Sequence, residues 1–418
     1  MLENLRSGAW LTRQRLYAYP IILLVLFAAA ALALLFTSRD GIDAFGRPLG
    51  TDFSGIFTAG FGVDHGHPAL AYDVGAFRDL QEKLFGHSEN FYVWLYPPYF
   101  LAVAGLFAKF PYFAALALWQ ATTLAAYLAT VLAVLRPAKL PIWQVLITAL
   151  AFPAVLINLL HGQNGFLSAA LFGGGLVLLE RRPSLAGVLL ALLAYKPQFG
   201  FLLVPALLAG GYWRAAVAAA ATVTAITLAS LAVFGAAPWQ GFFAHLDFTR
   251  IIVEEGAVGF AKNQSPFAAV RLLGGGVDLA YCVQGAVSCT MVVTLIFLWR
   301  SAADFRLKAA TLLAASLLAT PQVFDYDMAI LAPALAFAVA YGLDKGFGTF
   351  ERTGLALVWI APLLARPLAS VAFLPLGLVA VSLLFVGLVR RARAAQAERS
   401  ANDSGPPRAG NRHAQSIA

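Results

Sequence analysis

The chain has 418 residues, of which 60% are hydrophobic and only 12% are charged. Soluble domains carry about twice that charged fraction, so the composition excludes a soluble enzyme and a disordered protein. The net charge of +8 does not indicate a nucleic-acid partner, because basic residues concentrate in the cytoplasmic loops of membrane proteins. We therefore expect an all-α integral membrane protein whose surroundings are a lipid bilayer, with no nucleic acid bound.

Stretches without charged residues locate the predicted membrane-spanning helices, since a span needs about 20 apolar residues. In chain order they are 16–38, 110–135, two within 140–179, 183–195, 197–213, 215–246, 279–299, 309–324, 328–343, 353–365 and 367–389. This pattern predicts a multi-span helical bundle of about twelve transmembrane helices. The membrane domain would cover 1–390, and the polar segment 391–418 would be a disordered cytoplasmic tail.

The distribution of Lys and Arg predicts the orientation of the chain. Most of the 29 basic residues fall in alternate loops or at the two ends of the chain, which places both termini in the cytoplasm. The polar interruptions between the spans then share the opposite, periplasmic side. They are Asp52, Tyr96, the turn 161–165, Lys196, Lys262 and the pair Asp325 and Asp327.

The longest segment outside the predicted spans, 39–110, is predicted to hold three short helices. The first carries an apolar face and begins at Thr51 or Asp52, either of which is a favourable N-cap residue. The second begins after Asp73 and ends at Gly86, and the third leads into the next span. Because short amphipathic helices favour the membrane surface, we expect all three to lie in the interface of the periplasmic leaflet.

Six motifs occur in a fixed order: Gly50-Thr51-Asp52-Phe53, Ala71-Tyr72-Asp73, Tyr96-Pro97-Pro98, Gly162-Gln163-Asn164, Lys196-Pro197-Gln198 and Thr320-Pro321. With these motifs, the sequence from about 16 to 389 resembles glycosyltransferase family 87, bacterial integral-membrane mannosyltransferases of the GT-C class. The resemblance implies a GT-C fold in the bacterial inner membrane and a polyprenyl-phosphate sugar, mannose in most cases, as donor. The acceptor would be an envelope glycolipid or glycan, and neither a cofactor nor a metal ion is expected.

The resemblance also implies that an acidic residue early in the first outer loop, here Asp52, is the catalytic base. The chemistry needs only one carboxylate, because a phosphate leaving group requires no general acid, and direct displacement would invert the anomeric carbon. The sequence departs from the family at one point. Where a Trp-Asp-His-His pattern often occurs, this chain has Phe324-Asp325-Tyr326-Asp327, so histidines are missing there.

The candidate site residues also have structural interpretations. Asp52 could cap a helix, and Lys196 could extend to the membrane surface instead of binding a donor phosphate. His161, Gln163 and Asn164 could form an ordinary polar turn or hydrogen-bond the substrate.

The remaining candidates are equally open. Lys262 is expected in a solvated loop unless it contacts substrate, and Tyr96 either anchors the interface or packs against the sugar. Asp325 and Asp327 could bind a cation, a sugar or an arginine, but two carboxylates are too few to predict a metal site.

Two other classes of protein compete with a glycosyltransferase. A secondary transporter or lipid flippase would also have many spans broken by Gly and Pro, but it should show two similar halves and ionisable groups near the midplane. Here the charges cluster on one side and the long loop 39–110 occurs once. A structural assembly subunit explains neither the loop nor the motifs.

Overall fold

The computed structural model describes residues 2–86 and 90–403. This part of the chain is helical and contains no β-strand, which confirms the predicted all-α class. The α-helices of the first half are α1 (Leu2–Ser7), α2 (Arg13–Thr37), α3 (Thr51–Asp64), α4 (Val74–Phe85), α5 (Leu101–Ala108), α6 (Tyr112–Leu135), α7 (Ile142–Leu150), α8 (Pro153–His161), α9 (Gly165–Leu178), α10 (Pro183–Ala191) and α11 (Pro197–Gly200).

The second half continues with α12 (Leu203–Ala209), α13 (Trp213–Phe234), α14 (Ala237–Ala244), α15 (Leu246–Glu255), α16 (Pro266–Leu272), α17 (Val277–Arg300), α18 (Phe305–Leu318), α19 (Leu331–Lys345), α20 (Glu351–Ala372) and α21 (Leu376–Asp403). Short 3₁₀ helices connect several of them: Pro68–Tyr72, Pro98–Phe100, Arg136–Ala138, Leu192–Tyr195 and Asp325–Ile330.

Within the described residues, six helices are long and apolar enough to cross a membrane, which fits a helical membrane protein. They are α2, α6, α13, α17, α19 and α20, where α6 and α19 are counted together with the adjoining 3₁₀ turns. Helices α7 and α8 form a further candidate span that is bent by 59°. The expected twelve spans are not confirmed.

The difference has a physical reason. Helices α9, α10 and α12 have 14, 9 and 7 residues, whereas a bilayer core requires about 20. An apolar stretch can therefore have the composition of a transmembrane helix and still form a helix that is too short to cross the bilayer. Arg366 was expected to separate two spans, but it lies within the single helix α20.

The long segment after α2 supplies most of a hydrophobic core that is separate from the larger core of the helices that follow it. Its helix α4 follows the prediction, because Asp73 caps it through Ala76 N at 3.0 Å and Gly86 ends it with φ 81°. Helix α3 differs from the prediction of a surface amphipathic helix, since most of its residues are buried. Its small residues explain this: a Cβ atom at Gly60 would collide with the carbonyl oxygen of Ala104 in α5.

Arginine residues from other helices contact the segment between the end of α19 and the start of α20, which we call the basic end. Phe350 N donates to Arg6 O at 2.8 Å, Arg306 pairs with Asp344 at 2.8 Å and Arg391 donates to Gly346 O at 2.6 Å. Helix α21 continues through Asp403, so no helix end marks the predicted boundary at residue 390, and the helix enters the segment expected to be disordered. The rest of that segment, 404–418, lies outside the described residues.

Candidate active site

Asp52 is the second residue of α3 and does not cap it. The N-cap is Gly50, which adopts a left-handed conformation with φ 76°, so the prediction that Thr51 or Asp52 caps the helix is wrong. The carboxylate nevertheless lies at the positive end of the helix dipole, which favours an anion there. Its side chain is 17% exposed, so it is recessed but reachable from outside.

Three groups from two distant parts of the chain surround the Asp52 carboxylate. Its Oδ2 atom lies 3.2 Å from Gln163 Nε2, 3.6 Å from Lys262 Nζ and 3.8 Å from His161 Nδ1. Only the first is a hydrogen-bond distance. The cation and the imidazole are held near the carboxylate without closing on it, because His161 Nδ1 instead makes a 2.8 Å hydrogen bond with Thr51 Oγ1.

The turn between α8 and α9 holds the amide side chains of the site. Gly162 permits the turn with φ 60°, and Trp119 Nε1 donates to its carbonyl at 3.0 Å. Gln163 Oε1 accepts from Asn164 N at 2.9 Å, which directs the Gln163 amino group toward Asp52.

Asn164 connects this turn to the first loop. It is fully buried, and its Nδ2 donates to Tyr96 OH at 2.7 Å. Its Oδ1 is buried without a partner among the described residues, an arrangement that a polar ligand would satisfy. Burial and the nearby Asp52 charge raise the pKa of Tyr96 well above its usual value, so Tyr96 stays a neutral hydroxyl.

Lys196 is buried and paired, which rules out the interpretation that it extends to the membrane surface. It lies between the 3₁₀ helix Leu192–Tyr195 and α11, and its Nζ is 2.5 Å from Asp327 Oδ1. Only 7% of the Lys196 side chain and 1% of the Asp327 side chain are exposed. The second Asp327 oxygen accepts from Phe324 N at 3.0 Å, so this carboxylate is satisfied on both sides.

Asp325 pairs with an arginine, one of the three alternatives for these carboxylates. Arg366 Nη1, from the last third of α20, lies 3.5 Å from Asp325 Oδ2. The backbone fixes the other oxygen, since Tyr326 N donates to Asp325 Oδ1 at 2.9 Å. Arg366 was not among the candidates, although it carries the same signal as Lys196, an isolated cation within an apolar stretch.

Lys262 reaches the site because its loop is bonded to the segment before Asp325. Asp325 N donates to Lys262 O at 3.0 Å, and Gln264 N donates to Val323 O at 2.6 Å. The Lys262 side chain is only 13% exposed, so the expectation of a solvated loop is wrong. The structure thus gathers every candidate from the sequence in one cluster: Asp52, Tyr96, His161, Gln163, Asn164, Lys196, Lys262, Asp325 and Asp327.

The fold and this cluster define an all-helical chain of membrane type with a polar site built from helix ends. Comparison with families of known proteins then assigns it. The model of glycosyltransferase family 87 matches residues 94–321, more than half of the chain, and the protein belongs to this family. Asp52, Asp325, Asp327 and Arg366 lie outside the matched residues. Comparisons with curated proteins and with solved structures found no match to this chain.

Proposed function

We propose that the protein transfers a hexose from a polyprenyl-phosphate donor to an envelope glycolipid or glycan, and that this hexose is mannose. The family assignment makes it a glycosyltransferase; donor, acceptor and membrane side are our proposal. We further propose a GT-C architecture, with the site on the periplasmic face of the bacterial inner membrane. The observation that supports this most is the partly exposed Asp52 carboxylate, which has the Lys262 ammonium, the Gln163 amide and the His161 imidazole around it.

In the proposed mechanism Asp52 removes the proton of the acceptor hydroxyl. The oxygen attacks the anomeric carbon from the face opposite the phosphate, the bond from that carbon to the phosphate oxygen breaks, and polyprenyl phosphate leaves. The proton remains on Asp52 and the configuration at the carbon inverts. General base catalysis of this kind contributes about 10²- to 10⁴-fold in rate. Gln163 Nε2 hydrogen-bonds the carboxylate and orients it.

The other site residues divide into two groups. We assign His161, Asn164 and Tyr96 to the sugar, because their hydroxyl, amide and imidazole groups suit the hydroxyls of a hexose. Lys196, with its ammonium 4.9 Å from the Tyr326 ring centre, and Asp327 form the wall behind them. The proposed role of this pair is to fix the segment that carries Asp325.

Sugar transfer by the purified protein tests this proposal directly. We expect mass spectrometry to detect one added hexose on extracted envelope glycolipids when polyprenyl-phosphate mannose is supplied, and anomeric analysis of the product to show inversion. The same reactions with nucleotide-activated sugars serve as the comparison. Transfer from a nucleotide sugar would refute the proposed donor class. So would the absence of transfer from every polyprenyl-phosphate sugar that is supplied.

The proposed orientation predicts where reporter proteins will be found. A reporter inserted at 65–67, in the turn after α3, is expected in the periplasm. Reporters at 301–304, beside the basic end, and at the C-terminus are expected in the cytoplasm, because basic loops remain on that side. Alkaline phosphatase and green fluorescent protein fusions, active on opposite sides, provide the measurement. A cytoplasmic result for 65–67 would contradict a periplasmic active site.

A further inference from the structure

The Arg366 guanidinium is the most exposed cation of the site. Its side chain is 45% exposed, whereas that of its partner Asp325 is 2% exposed. The pair is 3.5 Å apart, longer than the 2.7–2.9 Å typical of charge-assisted hydrogen bonds. A guanidinium carries five N–H donors in a flat fork, so one long contact with a single oxygen leaves most of its donors available to an anion.

Lys262 is the second cation held in this loose manner. Its Nζ lies 3.6 Å from Asp52 Oδ2 and stands 5.3 Å from the Tyr326 ring centre. Both cations are tied to Asp325, since Asp325 N donates to Lys262 O and the Asp325 carboxylate pairs with Arg366. Because Lys262 lies beside Asp52, one of these two cations is next to the proposed base.

The third cation of the site is different. Lys196 is 2.5 Å from Asp327, and both side chains are less than a tenth exposed. An anion that approached Lys196 would have to displace a buried carboxylate, which would leave that carboxylate unpaired. Of the three cations, Arg366 and Lys262 are therefore the two that can accept a new anionic partner.

We propose that Arg366 and Lys262 clamp the phosphate of the lipid-linked donor, with Arg366 as the principal ligand. This inference rests on the proposed function and names the residues that bind the donor phosphate of that same site. Arg366 suits the task because its planar fork matches two phosphate oxygens at once, which the point charge of a lysine does not. A phosphate held between them would lie beside Asp52, as displacement at the adjacent anomeric carbon requires.

Binding of polyprenyl phosphate, the product without the sugar, tests the clamp without depending on transfer. We expect Arg366→Gln to weaken its equilibrium binding by about 10-fold or more, the effect of one lost charge-assisted contact, and Lys262→Gln to weaken it less. The matched control is Arg352→Gln, which removes an arginine about 21 Å away on the same helix and should change binding less than twofold. The uncharged polyprenol should bind wild type and Arg366→Gln alike.

A double variant separates phosphate binding from a structural role. If Arg366 only neutralises Asp325, then Arg366→Gln combined with Asp325→Asn should restore wild-type binding. The clamp predicts that the double variant remains about 10-fold weaker, and that Asp325→Asn alone binds at least as tightly as wild type. Restoration in the double variant would overturn the inference.

The remaining outcomes are also decisive. Wild-type binding that Arg366→Gln does not change would overturn the clamp and leave the proposed function intact. Absence of polyprenyl-phosphate binding by the wild type would contradict both the clamp and the proposed function. Phosphatidylglycerol provides the comparison for a general headgroup site. Its binding should be weaker and insensitive to Arg366→Gln, and an equal loss for both lipids would refute a site that is specific for the donor.

Discussion

Asp52→Asn is expected to reduce sugar transfer by at least about a hundredfold, since general base catalysis contributes about 10² to 10⁴ in rate. Expression, membrane insertion and thermal stability should remain close to wild type. Gly50, not Asp52, is the N-cap of α3, so no cap is lost. An Asn side chain has nearly the same shape, and its carbonyl oxygen can still accept the hydrogen bond from Gln163. The expected loss is therefore in kcat and not in folding.

The matched control for this variant is Asp73→Asn. It removes one negative charge from the same loop, but Asp73 caps α4 through Ala76 N, and Asn caps helices about as well as Asp. Transfer by this control should remain at the wild-type level. Rates for both variants are measured at saturating donor with mass spectrometry. Wild-type transfer by Asp52→Asn would mean that another group removes the proton, with Asp325 and Asp327 as the next candidates.

Parts of this site were predictable because separate signals agreed. Polar residues interrupted the apolar pattern at Asp52, Lys196 and Asp327, which indicated a shared site, and the structure brings them into one cluster. The same reasoning predicted α4 from a capping Asp73 and a terminal Gly86, and both occur. Local chemistry suffices for these features, since a cap or a breaker acts within one turn of its own helix.

Features that depend on contacts between distant segments could not be derived in this way. The apolar face of α3 indicated a helix at the membrane surface, but its other face consists of small residues that allow α5 to pack closely. A Cβ atom at Gly55 would collide with the carbonyl of Tyr92, and one at Gly60 with that of Ala104. Hydrophobic periodicity reveals neither close approach. The twelve spans are not confirmed for a related reason, because a break such as 151–152 shortens a helix without changing its composition.

The sequence also could not predict which charged side chains form ion pairs with each other. Three carboxylates and three lysines or arginines meet in the site, and side-chain packing decides which of them form tight pairs. Lys196 and Arg366 gave the same signal, an isolated cation in an apolar stretch. One lies in a closed, buried pair and the other in a long, exposed pair. We propose different chemical roles for them for that reason, and only the three-dimensional arrangement distinguishes the two pairs.

Lys196→Ala is expected to destabilise the folded protein by about 3–5 kcal/mol, the range for removing one partner of a buried ion pair. The Asp327 side chain is 1% exposed, and its carboxylate would lose the cation that pairs with its Oδ1 atom. Combining Lys196→Met with Asp327→Asn should restore most of the stability, because an apolar or neutral replacement of both charges removes the unpaired group. The amide oxygen can still accept from Phe324 N. Thermal unfolding in detergent measures both variants.

An exposed ion pair provides the contrast for this experiment. Lys109 and Asp64 are 3.2 Å apart, with side chains 63% and 39% exposed, and exposed pairs contribute little to stability. Lys109→Ala should therefore leave the melting temperature almost unchanged. If Lys196→Ala also melts like wild type, and only its KM for the lipid donor rises, then Lys196 contacts the phosphate itself. That outcome would contradict Arg366 as the principal phosphate ligand and move the phosphate to the buried wall.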